Sequence, residues 1–207
     1  MENLFTNAPA WAVGTALILF VVKEIWLTYI SVFNPKDVLQ KYQSIYNELD
    51  YIEAETGAGR VALYKGHNSG QPLEGFSRMF SSVIASTAST EKWRKINESW
   101  QKVEVDANYI DTIKDIFENK VIEVNVEDLP KDSILHNMMC SEDIATSLVY
   151  IVGYKKQRDL IKTLYGKPKL VTFIYISVDF TKRPVEMAKV KEVIRSASNQ
   201  IKNLLDL

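Results

Sequence analysis

Glu53-Ala-Glu-Thr-Gly-Ala-Gly-Arg60-Val-Ala-Leu-Tyr-Lys-Gly-His67-Asn-Ser-Gly70 is the stretch on which the fold turns. Upstream of it, Val38, Tyr42, Ile45, Leu49 and Ile52 recur at steps of 4, 3, 4 and 3. That spacing predicts one apolar seam on a helix of roughly 18 residues. Asn34-Pro35 opens the helix, because proline suits a first helical turn. Thr56-Gly-Ala-Gly59 stops it. Arg60 to His67 then reads as a strand, and His67-Asn-Ser-Gly70 as a turn. A second strand over Phe76 to Ser86 would close a hairpin.

Further along, Trp93, Ile96, Trp100 and Val103 stand at helical spacing after the capping-type cluster Ser86 to Thr90. Ile110, Ile113 and Phe117 mark another helix. Val121-Ile-Glu-Val-Asn-Val126 alternates like a half-exposed strand. Asp132 can cap a short helix through about Met139. Leu148 to Tyr154 and Leu170 to Phe180 are rich in Val, Ile, Tyr and Phe, and read as strands. After Pro184, Met187, Val190, Ile194, Ala197, Ile201 and Leu204 form a second heptad-like stripe that closes the chain. About five strands joined mostly as hairpins predict an antiparallel sheet of the α+β class, with the first and last helices covering one face together.

The N-terminus reads differently. No residue from Phe5 to Val22 is charged, and Trp11-Ala-Val-Gly-Thr-Ala-Leu-Ile-Leu-Phe-Val-Val22 is the apolar centre. A span of the hydrocarbon core needs about 17–20 residues, so the run is just long enough for one transmembrane helix. Trp11, Trp26 and Tyr29 suit the interfaces. A cleaved signal peptide fits poorly: the segment before the run carries Glu2 and no Lys or Arg, and Ala8-Pro9-Ala10 precedes the run. Lys23, Lys36 and Lys41 all follow it, which places the C-terminal domain on the cytoplasmic side. The expected organisation is residues 1–33 as anchor and juxtamembrane stretch, and 34–207 as one α+β domain at a membrane, a bacterial inner membrane being the expected one. About 170 residues suffice for a full core.

The order of elements, with Glu53 to Gly70 at its centre, resembles a GAF domain, and more narrowly the GAF-like membrane-anchored proteins of tailed phages. In those, a helix ending in a Glu-x-Gly-Ala-type turn leads into an Arg-Val strand and a His-Asn-Gly turn. Here Ser69 separates Asn68 from Gly70. The resemblance covers about residues 40–205 and implies a small-molecule-binding fold that pairs through its terminal helices. No nucleotide-contact motif or chromophore cysteine of that family maps onto the chain, so no ligand is carried over with it.

In the strand Arg60 to His67, the residues Val61, Leu63, Lys65 and His67 share one face, apolar first and polar last. Lys65, His67 and Asn68 are therefore the candidate ligand contacts; alternatively Asn68 simply shapes a turn. His136 and Cys140 at i, i+4 could supply two corners of a zinc site, but no second pair exists, so no metal is expected. Glu127-Asp128 and Glu142-Asp143 read as solvated loop and helix-end charge. No catalytic set appears, and no cofactor or enzymatic activity is expected. With Lys+Arg 25, Asp+Glu 26 and net charge −1, nucleic acid is excluded as a partner. Cys140 is the single cysteine, so no intrachain disulfide forms. The two stripes, Val38, Tyr42, Ile45 and Leu49 with Met187, Val190, Ile194 and Ile201, predict a homodimer built from the terminal helices. The functional expectation is a membrane-tethered sensor or small-molecule-binding module. The alternative is a phage-type structural adaptor that recruits a partner protein at the membrane without a ligand.

Overall fold

The computed structural model describes residues 14–15, 17–24, 35–67, 79–157 and 169–207. The chain divides into two units, Met1–Tyr42 and Gln43–Leu207. In the first unit, residues 17–24 are helical, and Leu17, Ile18, Leu19, Phe20 and Val22 are all more than half exposed. Among the described residues no helix is long and apolar enough to cross a membrane. Much of the expected anchor, including residues 5–13, and the whole juxtamembrane stretch 25–33 lie outside the described residues.

Helix α1 spans Pro35–Thr56, and the division between the units falls within it. It ends as its sequence dictates. Gly57 has φ +66, a left-handed conformation that costs glycine nothing, and its N–H returns to the Glu53 carbonyl at 2.9 Å. β1 (Arg60–His67) and β2 (Phe80–Ala88) then pair as an antiparallel hairpin. Next come α2 (Glu91–Ser99), β3 (Val103–Glu104), α3 (Ala107–Asn119), β4 (Val121–Asn125), a 3-10 turn (Val126–Asp128), α4 (Ile134–Ser141), β5 (Thr146–Gln157), β6 (Lys169–Phe180) and α5 (Met187–Leu204).

The sheet has six strands in the order β3-β2-β1-β6-β5-β4, antiparallel throughout. The sequence reading of about five strands misses β3. The helical spacing of Trp93, Ile96, Trp100 and Val103 does not carry through as one helix. The helix stops at Ser99, and Val103 pairs across to Ser81 of β2. The short α4 starts one residue later than expected, because Ser133, not Asp132, accepts from the His136 amide at 3.1 Å.

Alternation in β1 sends neighbouring residues to opposite faces. Val61 and Leu63 join a core made with Leu148, Ile176 and Val178 and covered by α1 and α5. Ala62 and Tyr64 join a second core with Val149 and Tyr175, covered by α2, α3 and α4. The terminal helices do cover one face together, and this explains where their stripes go. Ile45, Leu49, Val190, Ile194 and Ile201 are each at most 4% exposed, all against the chain's own sheet. Met187 packs at the margin of the same core. Within one chain the apolar surface of these residues is buried against the sheet. Val38 and Tyr42, by contrast, are exposed.

Candidate functional site

The face carrying Tyr64 holds a cavity of about 30 Å³, room for a group the size of one water. Its floor comes from the sheet: Tyr64 of β1, Ser147 and Val149 of β5, Tyr175 and Ser177 of β6, and Val124 of β4. Its roof comes from Trp100 and from two helices, α3 through Tyr109, Thr112 and Ile116, and α4 through Leu135 and Met139. A single side chain ties those helices together. One oxygen of Asp106 caps α3 through the Tyr109 amide at 2.7 Å, and the other accepts from the Ile134 amide that opens α4 at 2.9 Å.

Aromatic rings set the shape of the floor. Tyr64 stacks on Tyr175 with centroids 5.0 Å apart and planes 7° apart, and Trp100 meets Tyr64 edge-on at 5.5 Å. Phe173 continues the row beside Tyr175. It lies across Gly66, its cross-strand partner, where a Cβ would come within 2.1 Å of the ring, so the row requires glycine there. The hydroxyls are joined as well: Tyr109 to Tyr175 at 2.8 Å, and Tyr175 to Ser81 at 2.5 Å. Burial pushes the Tyr64, Tyr109 and Tyr175 phenols up, so all three stay protonated.

Behind the rings lies a buried ion pair. The Arg60 Nε and Nη2 both donate to Oδ2 of Asp179, at 2.8 and 2.6 Å, and both residues are at most 1% exposed. Oδ1 of Asp179 accepts from the Ser147 and Ser177 hydroxyls, each at 2.6 Å. Nη2 also donates to the Tyr64 hydroxyl at 3.0 Å, and the guanidinium sits 5.2 Å from the centre of the Trp100 ring. Burial works against the charge on Arg60, but Tyr64 and Asp179 outweigh it and hold its pKa above the ordinary arginine value. One donor is left over: Nη1 of Arg60 is buried and has no hydrogen-bond acceptor among the described residues.

Glu142 closes the top of this arrangement. It is 7% exposed and accepts from the Trp100 indole at 2.5 Å and from the Ser99 hydroxyl at 2.7 Å. Burial raises its pKa, and those two donors oppose the rise. Reading Glu142 as a solvated charge is thus overturned; its neighbour Asp143 does face solvent, where it meets Lys92.

Lys65 and His67 stand on the other face of β1 from Tyr64 and Gly66, and neither lines the cavity. His67 Nε2 is 2.9 Å from the Ser82 hydroxyl, and the ring stacks near Phe80 at 6.2 Å. Asn68 lies outside the described residues. Burial, then Lys65 and Lys102, lower the His67 pKa from its ordinary 6.5. The folded state then binds fewer protons than the unfolded state just below that value, so this group's contribution to stability is lost as pH falls. Urea unfolding over pH should show the wild-type protein losing more stability below pH 6.5 than His67→Gln, with the two running parallel above it. His136 and Cys140 do approach each other, with Sγ 3.7 Å from Nε2, but among the described residues no group of three metal-ligating side chains exists.

This architecture matches known structures. A far-red cyanobacteriochrome photoreceptor aligns over 93% of this chain and 97% of its own, with 14% identity and TM-score 0.51. The GAF-domain region of a protein named as a membrane protein from Geobacter sulfurreducens PCA aligns over 83% and 96%, with 13% identity and TM-score 0.51. The fold is GAF-like. The cyanobacteriochrome receptor PixJ gives a third match, over 82% and 97%, with 9% identity and TM-score 0.50. No family model matches the sequence, and no curated protein does. Likeness at such low identity concerns the backbone of the GAF-like domain and not its chemistry.

Among the residues of this site, sequence reasoning picks out none of Arg60, Tyr64, Asp179 or Glu142 as functional candidates. A signal existed for one of them. Arg60 is a charge at the head of a strand whose next four residues are apolar or aromatic, which is unusual for a strand end facing solvent.

Proposed function

We propose that this chain is a membrane-tethered sensor module whose GAF-like domain binds one small, uncharged molecule over β1, β5 and β6. The observation that carries this reading is the buried Nη1 donor of Arg60, which has no acceptor among the described residues and belongs to an ion pair whose neighbours Tyr64, Trp100, Ser147 and Ser177 line the cavity. An unmatched buried donor costs about 1–3 kcal/mol, and a ligand acceptor would recover it. Arg60 and Asp179 already neutralise each other, so no free positive charge is left for an anion. The aromatic floor and the hydroxyls of Ser147 and Ser177 suit a compact, flat molecule with one acceptor atom. Its entry would lift α3 and α4 away from the sheet, since the cavity of about 30 Å³ admits only a single small group. The tether rests on the uncharged run Phe5 to Val22 and on the exposed apolar turns at 17–22. A helix apolar on all sides is suited to lipid or to a protein core. Two of the matched structures are described as a photoreceptor and a receptor, which agrees with a sensing role.

The small size of the cavity favours a second reading, a structural adaptor with no ligand. Ligand-observed NMR with neutral fragments, on the full chain in detergent micelles, separates the two. Under the sensor reading, fragments bind the wild-type protein. Val149→Phe, which fills the cavity, should then weaken them about tenfold or more. Fragments that bind Val149→Phe equally well, or none that bind the wild type, would leave the adaptor reading standing.

A further inference from the structure

The sheet formed by the described residues has two edges, and among those residues the β4 edge is the one left unpaired over a full strand. At the other end, β3 is two residues long. Beyond β3, the Trp100 carbonyl accepts from the Val83 amide, and Gln101 Nε2 donates to the Val83 carbonyl. Among the described residues no strand pairs with the outer edge of β4. The Ile151 amide bonds the Lys120 carbonyl and the Val126 amide bonds the Ala145 carbonyl, each at 3.0 Å. By antiparallel alternation, Lys120, Ile122, Val124 and Val126 turn their backbone groups to β5. Val121, Glu123 and Asn125 turn theirs away from the sheet.

An open groove of about 570 Å³ runs along that edge. Residues from both faces of β4 line it, so it follows the strand edge and not one face. α3 forms the facing wall through Thr112, Asp115 and Asn119, and Asp128 lies at one end. The charged groups in the lining are Asp115, Glu123 and Asp128, with no lysine or arginine among them. Glu123 is held by Arg183 at 2.6 Å. Asp115 and Asp128 are exposed and have no ion pair among the described residues.

We propose that β4 and this groove receive an extended, Lys/Arg-rich segment of a partner protein, which adds to the sheet as a seventh strand. Backbone pairing with Val121, Glu123 and Asn125 supplies the affinity, and Asp115 and Asp128 select basic side chains. A second copy of β4 is the poorer occupant: two-fold pairing sets Glu123 near its own mate, and like charges facing each other across strands are unfavourable. Edge strands left open invite unwanted pairing, and a lone inward charge such as Glu123 is one natural guard. A guard alone does not explain a groove of this volume with two further exposed acids, of which Asp128 is bound only by the Asn125 side-chain amide at 3.1 Å and neither makes an ion pair among the described residues. Thr112 and Val124 line both the groove and the cavity, so a strand docked here packs on the cavity wall.

The test uses the full chain in detergent micelles and a fluorescein-labelled peptide, Lys-Val-Lys-Thr-Lys-Val-Lys. Fluorescence anisotropy should give binding in the micromolar range. Asp115→Lys with Asp128→Lys, both at exposed positions and so compatible with folding, should weaken it about tenfold or more while circular dichroism is unchanged. The same peptide N-methylated at alternate residues keeps its charge and loses its donors, and it too should bind about tenfold more weakly. Equal binding of the N-methylated peptide would overturn strand addition. Equal binding of a peptide with Glu in place of Lys, or no binding by either, would overturn the choice of partner. Wild-type chain that sediments as a dimer, and becomes monomeric in Glu123→Pro, would assign the edge to a second copy instead.

Discussion

Asp179→Ala lowers the unfolding free energy by about 3–5 kcal/mol, the range for removing one partner of a buried ion pair. Four donors converge on this carboxylate: Nε and Nη2 of Arg60, and the hydroxyls of Ser147 and Ser177. Truncation leaves a guanidinium with no anion at a site that is 0% exposed. Two hydroxyls lose their acceptor as well. The cost therefore comes from the charge left behind, not from the attraction removed. It follows that Arg60→Met combined with Asp179→Leu should recover much of the loss, because apolar replacement of both partners removes the desolvation problem. Chemical denaturation of the single and double variants measures both effects. A single-variant loss below about 1 kcal/mol would mean that water reaches the pair.

Ile194→Ala should cost about 2–5 kcal/mol, the range for truncating a large aliphatic side chain in a packed core. Ile194 is 0% exposed and belongs to the core that also holds Leu49, Leu148 and Ile176. The expected loss is the same at protein concentrations differing about a hundredfold, because the contacts lie within one chain. A stripe that served a second copy would behave otherwise: the loss would be small at low concentration and grow with it. Urea unfolding at the two concentrations distinguishes these outcomes. Retention of full stability by dilute Ile194→Ala would assign the stripe to a partner copy.

Much of the frame was legible because its causes are local. Gly57 terminates α1 by a conformation of its own backbone, and β1 follows from a run of residues that suit a pleated surface. β3 was not legible: two residues carry no period, and Val103 belongs to the sheet only because β2 lies beside it. The site was hidden for a related reason. Arg60 and Asp179 are 119 positions apart, and Trp100 and Glu142 are 42 apart. A charge beside a hydrophobic run looks like a surface charge until its partner is known.

The sequence by itself determined the class of the domain, the helix-turn-strand hand-over at Glu53 to His67, and the amphipathic character of α1 and α5. Those properties reside in spacing, in glycine and in β-branched composition, which act over a few residues. Tertiary structure alone decided that β1 lies next to β6, which brings Arg60 to Asp179 and builds the cavity. It also decided which surface the two stripes meet. Over two heptads, repeats of 3.5 and 3.6 residues drift apart by only about 40°, so the pattern cannot tell a neighbouring helix from the chain's own sheet. In the folded chain the stripes lie against Leu148, Ile176 and Val178, because the sheet offers them an apolar face.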